Sequence, residues 1–170
     1  MIATQRYELV LAIYLTRRGF AFVLFEGALS PLDWCTTWRH GPEKNDHCLK
    51  IARALFNRHH PEVLVLQDTS WTGTQRSQRI TNLNAALLEL AEQQGLPVCA
   101  FSRDSVRAAF AYLGSPTKRA IAELIAKHIP AFEAYVPPER KRWMEEDARM
   151  GIFDAAALAL TFFESAAGGE

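Results

Sequence analysis

Apolar and polar positions change period several times along the chain, and each change predicts an element. Residues 8–15 (ELVLAIYL) form a short apolar run suited to a central strand, and 20–26 (FAFVLFE) repeat it after the polar turn TRRG, so the two read as a hairpin. Residues 33–38 (DWCTTW) are rich in β-formers and predict a third strand. The period then lengthens: Asp46 is placed to cap a helix through His59, along which Leu49, Ala52, Leu55 and Phe56 recur at helical spacing. Pro61 opens a fourth strand over 62–67 (EVLVLQ), and the polar stretch 68–79 reads as a loop. Over 80–94, Leu83, Leu87, Leu90 and Ala91 share one helical face, and Gly95 is the stop. Residues 97–102 (PVCAFS) predict a fifth strand, after which Ser102 or Asp104 caps a helix to Leu113. Gly114, Ser115 and Pro116 break the chain. Thr117 caps the next helix, with Ile121, Leu124, Ile125 and His128 on one side. A proline-bearing loop covers 129–142, and the very apolar stretch 151–164 predicts the last helix.

The order β-β-β-α-β-α-β-α-α-α is a three-stranded antiparallel meander followed by two βα units and further helices. It predicts an α/β fold: a mixed five-stranded sheet with helices on both faces. The chain has 170 residues, 49% hydrophobic and 22% charged, which suits one globular domain and argues against disorder. One domain over 1–165 with a disordered tail at 166–170 is expected. Nineteen basic and nineteen acidic residues cancel, which excludes a strongly basic coat protein or an acidic tail protein and leaves room for a local basic patch. Cys35, Cys48 and Cys99 form no CxxC pair, which fits a reducing, cytoplasmic setting better than a disulfide framework. With His40 and His47 they match no closed zinc pattern. The N-terminal apolar run lacks a small-residue cleavage site and reads as a strand. No apolar stretch reaches the length expected of a bilayer span, so no membrane partner is expected.

Several stretches resemble, in order and spacing, the RuvC-like Holliday-junction resolvases of the ribonuclease H-like superfamily. VLAIYLTRRGFAFVLFE (10–26) is similar to the family's first hairpin and PEVLVLQD (61–68) to its fourth strand. GLPVCAFSRDSVRAAFAYLGSPTKRAIAELI (95–125) resembles its fifth strand, its S-x-x-x-V-(K/R) segment and its G-x-x-x-K helix start; FDAAALAL (153–160) resembles its last helix. The resemblance implies a ribonuclease H-like fold and a metal-dependent nuclease site of four carboxylates. One comes from the end of strand one, one from strand four, and two from the last helix, three residues apart. Such a set holds the Mg2+ or Mn2+ ions that clamp the attacking and leaving oxygens of a phosphodiester.

This chain departs from that pattern. Tyr14 stands at the strand-one position, Gln67 at the strand-four position, and Gly151 three residues before Asp154, the one carboxylate retained. The expected function is therefore a nucleic-acid-binding protein, for DNA or RNA, whose nuclease site is degenerate. No cofactor is expected, and Asp154 is the one possible metal ligand. Asp154 is expected to be held instead by first-turn N–H groups of its helix and by the Tyr14 phenol. The alternative is a metal-dependent endonuclease with a rearranged catalytic set of Asp68, Asp147 and Asp154, using Mg2+ or Mn2+. It requires the last helix to reach back to Asp147, whereas pairing of Asp147 with Arg149 is the plainer expectation. A protein-interaction module is the third reading.

Six cations are candidates for phosphate contact: Arg76 and Arg79 after strand four, Arg103 and Arg107 at a spacing of four, and Lys118 and Arg119 at a helix start. Trp71 lies in the same polar loop as Arg76, placed to stack on a base or to cover its own loop. The segment 137–147 (PPERKRWMEED) runs from basic to acidic and reads as a clamp, a partner-binding loop or a self-neutralising surface. Phe162 and Phe163 end the last helix and are candidates for a homodimer interface, since related resolvases dimerise.

Overall fold

A computed structural model of the chain describes residues 9–39, 41–69, 77–114 and 116–167. The meander forms β1 (Leu9–Leu15), β2 (Gly19–Glu26) and β3 (Pro31–Trp38); β4 (Val63–Gln67) and β5 (Val98–Phe101) follow. β1 pairs antiparallel with β2 and parallel with β4, which gives a mixed sheet in the order β3-β2-β1-β4-β5. The helices are α1 (Lys44–His59), α2 (Gln78–Gln93), α3 (Arg103–Ala109), α4 (Lys118–His128) and α5 (Met150–Ala167).

The alternation of side chains along each strand sorts the core into two layers. Val10, Ala12, Val23, Phe25, Val63 and Val65 pack under α4 and α5. Leu11, Ile13, Phe20, Phe22, Leu64 and Leu66 pack under α1 and α2. Both faces are covered, which is why the central strands read as unbroken apolar runs. α5 is the helix at the centre of its layer. Ala155, Ala156 and Ala159 are fully buried on it, and these small side chains let it lie close to the sheet. Gly151 marks the nearest approach: a Cβ there would stand 2.9 Å from the Cβ of Ala21 and 3.4 Å from Thr16 Cγ2.

Three caps are where the pattern predicts them. Ser77, Ser102 and Thr117 accept from the N–H groups of Ile80, Ser105 and Ala120. Asp46 is different: α1 begins two residues earlier, so Asp46 lies in its first turn, where a negative charge still favours the helix dipole. β3 begins at Pro31, which an edge strand tolerates. His128 is exposed in the last turn of α4 rather than facing the core with Ile121 and Ile125. The loop expected over 129–142 contains a 3-10 turn, Pro130–Tyr135, whose Phe132 is fully buried against Phe25, Trp34 and Phe153.

The end of α5 also corrects the sequence reading. Phe162 is buried and touches the half-buried Phe163, which in turn meets Phe25 edge-on, so both rings pack with the core of this chain. Ala166 and Ala167 are helical rather than tail. With 18 residues and few charges, α5 is long and apolar enough to cross a bilayer by length and composition, which the sequence reading did not expect. Its apolarity is accounted for by burial against the sheet. His40, Trp71, Arg76 and residues 168–170 lie outside the described residues.

Candidate functional site

β1 and β4 run side by side, with Ile13 in register with Leu66. Ile13 and Leu66 face α1 and α2, so the next residues, Tyr14 and Gln67, face the α5 layer at the carboxyl ends of two adjacent parallel strands. α5 passes over this end and carries Asp154. Thr117 caps α4 so that its first residue, Lys118, points into the same place. Tyr14, Gln67, Lys118 and Asp154 thus line one cavity of about 190 Å³, together with Arg103, Arg107 and apolar residues of α3, α4 and α5.

The charge at its centre is Lys118. Its Nζ lies 3.4 Å from Asp154 Oδ2 and 3.1 Å from Glu146 Oε1, and 5.4 Å from the centroid of the Tyr14 ring. Burial alone presses its pKa down, but Asp154, then Tyr14 and Glu146, outweigh burial and hold it above the ordinary lysine value. The ammonium is therefore charged at any physiological pH. Glu146, with Glu145, stands beside Asp147 of the rearranged set in the sequence. Only its place in the acidic run after Trp143 hinted at it, and 28 residues separate it from Lys118.

The residues gathered here do not fit a pair of hard divalent cations. Among the described residues no group of three or more His, Cys, Asp or Glu side chains is arranged to hold a metal ion. Tyr14 and Gln67 stand where the resemblance implies carboxylates, and an ammonium already faces Asp154.

Asp68 and Asp147 are not brought to Asp154 as a metal-holding group. Asp68 follows Gln67 and so faces the other side of the sheet; its N–H donates to the Phe101 carbonyl at 2.7 Å. Asp147 lies before α5 rather than on it, and its carbonyl accepts the N–H of Met150, the helix's first residue. Its carboxylate takes the Arg149 guanidinium at 2.9 and 2.7 Å and the Arg149 N–H at 2.9 Å. That guanidinium holds the Asp147 carboxyl below the usual aspartate range, against a smaller opposing effect of burial.

The candidate phosphate contacts separate by partner. Arg103 and Arg107 line the cavity, and among the described residues neither guanidinium has an ion pair or a hydrogen bond. Arg79 instead donates to Asn45 Oδ1 at 3.0 Å and to the carbonyls of Thr16 at 2.6 Å and Arg17 at 3.1 Å, pinning the β1–β2 turn. Arg119 donates to the Pro137 carbonyl at 2.9 Å and pairs with Glu123 at 2.9 Å. Both tie loop carbonyls that have no partner in a regular element.

A wider groove of about 830 Å³ opens on the other side of Tyr14 and Asp154, with Arg17, Arg18, Lys44 and Arg140 on its walls. The acidic run Glu145–Glu146–Asp147 lies along it. Glu145 pairs with Arg18 at 2.9 Å, across 127 residues of sequence. Trp143, beside this run, is 78% exposed, with Lys141 Nζ 5.7 Å from its ring centroid.

No protein-family model and no curated protein sequence matches the chain. Solved structures do. The RuvC of Thermus thermophilus in complex with a Holliday junction substrate superposes with a TM-score of 0.69 at 19% identity, over 95% of this chain and 96% of that one. Thermus thermophilus RuvC by itself gives 0.69 at 20% identity, over 94% and 96%. The yeast mitochondrial Holliday junction resolvase Ydc2 gives 0.64 at 16% identity, over 95% of this chain and 80% of that one.

Proposed function

From the RuvC-like, ribonuclease H-like fold that this chain adopts, we propose that it is a nucleic-acid-binding protein in which binding persists without metal-dependent cleavage. One observation carries the reading: the Lys118 ammonium within 3.4 Å of Asp154 and 3.1 Å of Glu146. Two-metal hydrolysis needs oxygen ligands around cations with open coordination positions. A tethered ammonium supplies one positive charge, has no open position and activates no water. It does supply attraction for a phosphate, as do the guanidiniums of Arg103 and Arg107 beside it, which have no partner among the described residues. That one of the matching folds is bound to a Holliday junction substrate supports nucleic acid as the ligand here.

The test is a labelled four-way junction and a labelled duplex, incubated with the protein at low salt in Mg2+ or Mn2+. Binding with no cleavage is the expected result. Cleavage that depends on metal and disappears in Asp154→Asn would overturn it in favour of a rearranged nuclease. That second reading has one observation behind it: Asp154 and Glu146 approach the same Nζ, so two carboxylates lie within reach of one atom. On it, Lys118→Ala raises cleavage. Absence of binding to either substrate would point to a protein-interaction module, with exposed Trp143 and Met144 as its first contacts.

A further inference from the structure

The chain from Pro138 to Arg149, between the 3-10 turn and α5, forms no helix or strand, and none of its residues is buried. Pro137 before it and Met150 after it are both buried, so the segment is a strap fixed at its two ends. Arg119 holds one end through the Pro137 carbonyl. The strap's own hydrogen bonds, from Arg140 to the Met144 carbonyl and from the Met144 N–H to the Lys141 carbonyl, shape it without tying it down. Among the described residues, two ion pairs tie its middle to the rest of the molecule: Glu145 with Arg18 of the β1–β2 turn, and Glu146 with Lys118 of α4. The four side chains are 37% to 71% exposed, and pairs so exposed are weak and screened by salt. With nothing buried along its length, the strap can lift without disturbing the core.

The two carboxylates take the cations that a bound strand would use. Arg18 is on the wall of the larger groove and Lys118 on that of the cavity, and Tyr14 and Asp154 line both. Glu145 and Glu146 are consecutive and carry one negative charge each, as consecutive nucleotides do. We propose that the strap is an autoinhibitory contact: Glu145 and Glu146 occupy Arg18 and Lys118 until a nucleic-acid strand displaces both and lifts the strap. The inference rests on the nucleic-acid reading above and adds how that site is regulated. A lone phosphate replaces one carboxylate, while the other keeps the strap at high effective concentration beside the site. A strand brings phosphates to both cations together, so the device favours a polymer over a free phosphate.

Fluorescence anisotropy at low salt, with the full chain and a labelled duplex, tests this. Arg18→Cys with Glu145→Cys, in a Cys35→Ser and Cys99→Ala background, lets a short reducible bis-maleimide tether the strap closed. The tethered protein is expected to lose most of the binding that cutting the linker restores. Glu145→Gln with Glu146→Gln is expected to bind about tenfold tighter than wild type, the scale of two exposed ion pairs. Glu133→Gln with Glu139→Gln makes the same charge change on nearby residues that have no ion pair among the described residues, and is expected to change affinity far less. Inorganic phosphate, at matched ionic strength, is expected not to compete with the duplex. Thermal melting checks that each variant is folded. Tethered and cut forms that bind equally would overturn the proposal, because the strap then need not move, and leave the nucleic-acid reading in place. So would an equal gain from the two glutamine pairs. No binding by the wild type, the cut form or the Glu145→Gln, Glu146→Gln variant would overturn that reading, and this inference with it.

Discussion

Asp154 shows at the scale of one residue how a carboxylate keeps its place in this site. Its side chain is 14% exposed and has the Lys118 ammonium 3.4 Å away. The sequence pointed to helix N–H groups and the Tyr14 phenol as its holders; the structure adds a cation from α4. Lys118→Met removes that cation and leaves a largely buried charge short of a partner, which is expected to cost roughly 1–3 kcal/mol. Asp154→Asn removes the other half, so the double variant should lose less than the sum of the two, as read by denaturant titration. Magnesium is expected to leave the melting temperature of the wild type unchanged, because a ligand stabilises only a state that binds it. A magnesium-dependent rise abolished by Asp154→Asn would contradict this. Asp147 gives the pH dependence. Its folded pKa lies below the unfolded one because Arg149 holds the ionised form. Its contribution is thus complete above the ordinary aspartate value of about 3.9 and is lost as pH falls through the lower folded value. An acid-unfolding curve of Asp147→Asn should lack that component, while stability of the variant at neutral pH should be lower than wild type.

At the scale of elements, the start of α5 is governed by contact with the sheet. Ala21 is the β2 partner of Tyr14, and Gly151 lies directly over it. A side chain at 151 meets a Cβ that cannot swing aside. Gly151→Ala is expected to destabilise by about 1–3 kcal/mol, the usual cost of overpacking, measured as a lowered denaturation midpoint. Gly151→Asp, which would restore the carboxylate spacing of the resolvases, is expected to destabilise further and to produce no metal-dependent cleavage. The same element boundary sets Asp147 off the helix that carries Asp154. α5 begins at Met150, so Asp147 belongs to the turn before it. The acidic run at 145–146 has its own consequence. It occupies Arg18 and Lys118, cations that line the cavity and groove, as a phosphate would. Glu145→Gln with Glu146→Gln is expected to tighten nucleic-acid binding and to steepen its salt dependence. Glu89→Gln with Glu92→Gln, the same charge change on α2, should leave both nearly unchanged.

The whole molecule is electrically balanced, with 19 basic and 19 acidic residues, so attraction for a polyanion must come from arrangement. Arg103, Arg107 and Lys118 are the three cations the fold gathers at one cavity. If each neutralises one phosphate of a duplex, log affinity should fall against log salt with a slope of about −3. A slope near zero would mean that phosphates are not the contact. The sequence by itself determined the element order, the two-faced burial of the central strands and three of the helix caps. These depend on side-chain periodicity and on hydrogen bonds three residues apart, which are local. The resemblance to the resolvases implied that Tyr14, Gln67 and Asp154 would converge, and all three line one cavity. What each charge pairs with was decided only by tertiary structure. Lys118 meets Asp154 and Glu146 across 36 and 28 residues, Arg79 is drawn to the carbonyls of the β1–β2 turn, and Arg103 and Arg107 are left facing an apolar cavity. A long charged side chain reaches whichever neighbour the packing of helices on the sheet brings within a few ångström, and no sequence period records that distance.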